Sequence, residues 1–98
     1  MSLQYNMQAE WDVEKCKANL KKHGLSFEDA WQVFAGDTVT LPDERHSYGE
    51  DRLITLGRLA GRVVVVLHVS RREKTRIISM RKANAREQKI YQERLVQD

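Results

Sequence analysis

Val63-Val64-Val65-Val66-Leu67 is the stretch from which the fold can be read. Successive side chains of a strand point to opposite faces, so an unbroken apolar run has to be covered on both. It therefore marks a central strand, reaching from Arg62 to Ser70. Two neighbours flank it in the chain: Arg52 to Gly57 before, and Thr75 to Arg81 after. The linkers are short, one containing Gly61 and the other Arg71-Arg72-Glu73-Lys74, which predicts antiparallel hairpins. The last strand carries arginine near both ends, at Arg76 and Arg81, and stops at Asn84. Guanidinium forks match phosphate or carboxylate, so this strand end points to an anion; its bland alternative is a solvated basic edge.

Upstream, Glu10-Trp11-Asp12 reads as the end of a short first strand running into a helix capped by Asp12. Val13, Cys16 and Leu20 repeat at helical spacing and predict its apolar stripe, with Gly24 as the stop. Ser26-Phe27-Glu28-Asp29 opens a second helix with Phe27, Ala30, Trp31 and Phe34 on its core face. Thr38 to Leu41 reads as a short edge strand ended by Pro42. The polar segment from Pro42 to Asp51 reads as a loop, with His46 exposed to solvent. After Asn84 a final helix presents Ile90, Tyr91 and Leu95 on a narrow apolar side. The order β-α-α-(β)-β-β-β-α defines an α+β domain with helices packed on a mainly antiparallel twisted sheet.

With 98 residues the chain makes one domain, 1–98, with one modest core. Residues 1–6 are expected to be poorly ordered or left from an expression vector, the native start falling at or near Met7. No apolar run approaches a bilayer span, no signal peptide is visible, and Cys16 is a lone cysteine. A cytoplasmic protein without membrane partners is the expectation. Charge is segregated: residues 1–51 hold 5 Lys/Arg and 10 Asp/Glu, a balance of −5. Residues 52–98 hold 12 and 4, a balance of +8. Such a division suits a polyanion or an acidic partner.

His23, His46 and His68 lie far apart and no pair has metal-ligand spacing, so no metal site is predicted. No phosphate loop or dinucleotide fingerprint occurs, and no cofactor is expected. Cys16 falls in an apolar stripe and reads as filler. The remaining Arg, Lys and His residues suit metal-free RNA cleavage. There the 2′-hydroxyl attacks the adjacent phosphorus, which needs a proton acceptor, a donor for the leaving oxygen and fixed positive charge. Strict alternation puts Ile77, Ser79 and Arg81 on one face, and Arg76, Ile78 and Met80 on the other. His68 groups with Val64 and Val66, as either a satisfied half-buried histidine or a proton-transfer group. Tyr91 either reaches the same end of the sheet or packs against Leu95.

Glu10-Trp11-Asp12 and the block Asn19-Leu20-Lys21-Lys22-His23-Gly24-Leu25-Ser26-Phe27-Glu28-Asp29-Ala30 resemble the N-terminal signature of the BrnT toxin family. Ile54-Thr55-Leu56-Gly57-Arg58, Arg76-Ile77-Ile78-Ser79-Met80-Arg81-Lys82-Ala83, Arg86-Glu87 and Tyr91 extend the resemblance in order, from about Glu10 to Leu95. The resemblance implies a type II toxin with a RelE-like fold: an endoribonuclease that cleaves mRNA and arrests translation. It also implies a ribbon-helix-helix antitoxin of the BrnA type, a heterotetramer formed through antitoxin dimerisation, and operator DNA bound through the antitoxin. On this reading Arg81, Arg76 and Arg52 stabilise the phosphate, with His68 or Glu50 assisting proton transfer. Lys22, His23, Arg71, Arg72, Lys82 and Tyr91 are the candidate RNA contacts, although Lys22-His23-Gly24 is also a plain helix ending. Met80 stands where many relatives have Ala. The rival reading is a non-catalytic toxin-like module that acts with its antitoxin in DNA-bound autorepression, and a degenerate toxin is a third.

Overall fold

Two tight turns set the register of the sheet. Ala60 and Gly61 have φ of 52° and 78°, and Arg72 and Glu73 have φ of 48° and 68°. Paired positive φ values are what a type I′ hairpin requires, and that turn matches the right-handed twist of its strands. The computed structural model describes residues 8–44 and 51–96. Within them the chain forms β1 (Ala9–Glu10), α1 (Val13–His23), a 3-10 turn (Phe27–Asp29), α2 (Ala30–Ala35) and β2 (Val39–Pro42). It continues through β3 (Arg52–Leu59), β4 (Arg62–Arg71) and β5 (Lys74–Lys82) to α3 (Ala85–Val96). The expectations for residues 1–6, and for His46 and Glu50, fall outside the described residues.

The strands lie in the order β1-β5-β4-β3-β2, with β4 central as its apolar run requires. β1 pairs with β5 in parallel, while β2–β3, β3–β4 and β4–β5 are antiparallel. The domain is thus α+β with a mixed, mainly antiparallel sheet. On its inner face Val64, Val66, Ile77 and Met80 pack with Phe27, Ala30 and Val33 from the segment ending in α2. Gly57 makes the close approach of α2 possible, since a Cβ there would lie 2.7 Å from Val33 Cγ1. On the outer face Val39, Leu56 and Val65 pack with Ala83 and Tyr91, which seats α3 on the sheet.

Helix α1 does not bury the expected stripe. Val13 and Leu20 are 59% and 50% exposed, and the residue it buries is Asn19, at 8%. The inward position of Asn19 goes with a short β1, which pairs only with Thr75 and Arg76 of β5. Further along that edge Asn19 supplies the pairing of the missing strand. Its Nδ2 donates to Met80 O at 2.9 Å, and Met80 N donates to its Oδ1 at 3.2 Å. The same Nδ2 also donates to Leu25 O at 3.1 Å. Trp31, expected in the core, is 49% exposed, because α2 turns Val33 inward instead.

A second correction concerns β5. Its register against β4 slips between Leu67 and His68: Ser79 faces Leu67, Ile77 faces His68, and Ile78 has no opposite residue. Such a bulge reverses the alternation beyond it. Ile77 and Met80 therefore share the inner face, at 2% and 0% exposure, despite lying three residues apart. Arg76, Ser79 and Arg81 share the other face, where strict alternation had separated Arg76 from Arg81.

Candidate nucleic-acid interface

Cross-strand partners share a face, so the outer face can be laid out in rows from the register. One row runs Arg52, Val69, Arg76, Glu10; the next runs Leu41, Ile54, Leu67, Ser79. The third runs Val39, Leu56, Val65, Arg81, and Arg71 pairs with Lys74 at the hairpin end. Helix α3 packs over Val39, Leu56 and Val65. Among the described residues no other helix lies on this face. Ile54, Leu67 and Ser79, all half-buried, form a floor between the Arg52–Arg76 row and Arg81. Four residues of strand separate those two rows, about 13 Å, so Arg76 and Arg81 address different groups of a ligand rather than one phosphate.

Both arginines are held by carboxylates that the hydrophobic and charge patterns did not reveal. Arg76 Nη1 donates to Glu10 Oε2 at 2.9 Å across the β1–β5 pairing. Arg81 makes a bidentate pair with Glu87, each nitrogen–oxygen distance being 2.7 Å. Glu87 is itself fixed. Its Oε1 accepts from Asn84 N at 2.9 Å while Asn84 Oδ1 accepts from Glu87 N at 2.8 Å, a capping box that starts α3. The cap pattern is visible in Asn84-Ala85-Arg86-Glu87, but the fork it holds is not. The Arg81 side chain remains 34% exposed, so an oxyanion can approach the guanidinium. It lines a hollow of about 440 Å³ with Leu41, Ile54, Arg86 and Ile90. Apolar floor, cationic rim and a fixed fork suit a base and its phosphate.

Other candidates are dispersed. Arg71 and Arg72 line a separate hollow of about 570 Å³ with Glu10 and Lys74, at the hairpin end. Lys82 opposes Val64 at the far end of β5. Lys22 and His23 close α1, which packs on β5 through the inner-face core and so stands away from the arginine rows. Tyr91 is 1% exposed and its hydroxyl donates to Asp37 O at 2.9 Å, so it packs α3 rather than facing solvent. His68 opposes Leu53 and Ile77 and therefore lies on the inner face. Its Nε2 is 2.7 Å from Thr55 Oγ1, which is in turn 2.8 Å from Thr40 Oγ1. The Phe34 ring meets the imidazole edge-on at 5.0 Å. Among the described residues no three His, Cys, Asp or Glu side chains gather as metal ligands.

Burial pushes the His68 pKa down to about 4 from an ordinary value of 6.5. The unfolded chain therefore binds a proton that the folded chain refuses between these two values. Stability is complete above pH 6.5 and falls as the pH drops toward 4, by an amount on the order of 3 kcal/mol. Urea midpoints measured from pH 7.5 to 4.5 should decline for the natural protein and flatten for His68→Gln. Equal slopes for the two proteins would refute the assignment.

Residues 11–87 match the family model described as the ribonuclease toxin BrnT of type II toxin–antitoxin systems. The chain belongs to the BrnT family. Membership implies a ribonuclease toxin with a cognate antitoxin as its partner. A comparison with curated proteins gave no match. The span shared with BrnT toxins contains Arg52, Arg76, Arg81 and Glu87, whereas Glu10 and Tyr91 fall outside it. No helix among the described residues is long and apolar enough to cross a membrane.

Proposed function

We propose that this BrnT protein binds mRNA on the open arginine face and cleaves it without metal, so stopping translation in the cytoplasm. The observation that carries the reading is the bulge at Ile78, which puts Arg76, Ser79 and Arg81 on the face that also bears Arg52 and Arg71. In a 2′-hydroxyl attack the phosphate gains charge as the pentavalent state forms. Arg81, oriented by Glu87 before substrate arrives, stabilises that charge without rearranging. Arg52 and Arg76 hold a neighbouring phosphate, and Glu50 assists proton transfer. His68 serves the core in this mechanism, because the sheet stands between its imidazole and the arginines.

The antitoxin is a ribbon-helix-helix protein of the BrnA type in the same proposal. Covering the arginine face neutralises the toxin, and antitoxin dimerisation gives a heterotetramer that binds operator DNA. The strand order and the open sheet face support a RelE-like arrangement. Incubation with RNA in EDTA is the deciding experiment, run with and without ribosomes and with and without antitoxin. Cleavage that persists in EDTA and stops on adding antitoxin is the expected result. Intact RNA and normal growth on expression of the folded protein, with salt-steep binding to duplex DNA, would instead identify a repressor module.

A further inference from the structure

On the other flank of α3 lies a second hollow, of about 590 Å³, lined by Arg58, Arg62, Lys82, Gln88 and Gln92 among others. Among the described residues its three cations make no ion pair, and no carboxylate lines it. That distinguishes it from the two hollows already described, which include Glu10 and Glu87. The Arg58 guanidinium sits 5.8 Å over the ring of buried Tyr91, an arrangement that limits its freedom and presents its charge at the rim. Arg58 and Arg62 are exposed at the ends of the β3–β4 hairpin, and Lys82 ends β5. Three neighbouring positive charges, with no carboxylate among the lining residues, cost repulsion in the folded state, which an incoming anion relieves.

Placement connects this hollow to the arginine face. Arg58 faces Val63, while Arg81 faces Val65, two strands across and two residues along, about 12 Å away. Lys82 follows Arg81 and, by alternation, turns to the Val64 side, but it ends β5 and lines the hollow there. The two hollows thus flank the N-terminal end of α3, with Arg81 at one and Lys82 at the other. We propose that the Arg58–Arg62–Lys82 hollow is a second anion site, which holds the backbone of single-stranded RNA a few nucleotides from the bond that is cut. This rests on the ribonuclease reading and adds the track by which the substrate is held. An acidic peptide fits less well. Protein partners are anchored by buried aromatic or aliphatic side chains, whereas the apolar lining here is limited to Val63 and Ala83. Cations and amides without apolar anchors are what sequence-independent backbone contact requires.

The test compares the natural protein with Arg58→Gln/Arg62→Gln, and with the single charge reversal Arg62→Glu as a variant that leaves the Tyr91 contact intact. Single-stranded RNA binding is followed by anisotropy across a salt series, and cleavage is measured on a long RNA and on a short oligonucleotide spanning only the cut bond. The double variant should bind long RNA about tenfold more weakly, with the salt slope reduced by about 1.4, and cleave the short oligonucleotide at the natural rate. Unchanged long-RNA binding and slope in both variants would overturn the site. So would a loss confined to antitoxin affinity. If the natural protein leaves RNA uncut yet the variants still weaken its RNA binding, the ribonuclease reading fails while the anion site stands.

Discussion

Replacing Arg81 by Ala is expected to reduce RNA cleavage by about a hundredfold or more while leaving the protein folded. The size follows from what the fork does. Two 2.7 Å bonds to Glu87 hold the guanidinium plane, so its charge is already oriented when the phosphate develops its own. Folding should survive because Glu87 keeps its second role, accepting from Asn84 N at the start of α3. The cost in stability is then about 1 kcal/mol, that of a partly exposed ion pair. Arg81→Lys keeps the charge and loses the fork, so it should recover only part of the rate. Glu87→Gln retains a cap acceptor and removes the charge that orients Arg81, so it should lower kcat more than it raises KM. Cleavage by Arg81→Ala at the natural rate, with weakened antitoxin binding alone, would recast this arginine as a partner contact.

The arrangement of that site was only partly legible in the chain. Strands β3, β4 and β5 announced themselves through β-branched runs and short turns, and the caps at Asp12, Ser26 and Asn84 behaved as their side-chain chemistry demands. What pattern reading missed were features created by irregularity or by distant pairing. Ile77-Ile78-Ser79-Met80 fits no period of two, and that mismatch is the one local trace of the bulge. Without the bulge Arg76 and Arg81 fall on opposite faces and the site dissolves. The Glu10–Arg76 pair depends on β1 lying parallel to β5, which joins residues 66 apart in sequence. No local rule reports a contact of that kind. His68 was grouped correctly with Val64 and Val66, and the same grouping is what removes it from the arginine face.

Asn19→Leu should damage the fold severely, lowering stability by about 2–4 kcal/mol. Hydrophobic patterning invites the substitution, since α1 turns this position inward among apolar neighbours. The side chain, however, is the partner of a peptide unit. Asn19 both accepts from Met80 N and donates to Met80 O, and it donates a third bond to Leu25 O. Leucine fills a similar volume and leaves those buried groups unpaired, so burial gains little against three lost bonds. Asn19→Asp separates the contributions: it keeps the acceptor for Met80 N, loses both donors, and sets a carboxylate against two carbonyl oxygens. It should be nearly as harmful near neutral pH and recover partly in acid, where the protonated carboxyl donates one bond. Urea unfolding with unchanged m-values would measure both. A loss below about 0.5 kcal/mol for Asn19→Leu would mean that the edge of β5 closes without this amide. Because Met80 adjoins Arg81, the same variants should also loosen the end of β5 and slow RNA cleavage before they unfold the protein. Through Asn19 the buried packing of α1 would thereby reach the proposed site around Arg81 on the opposite face of the sheet.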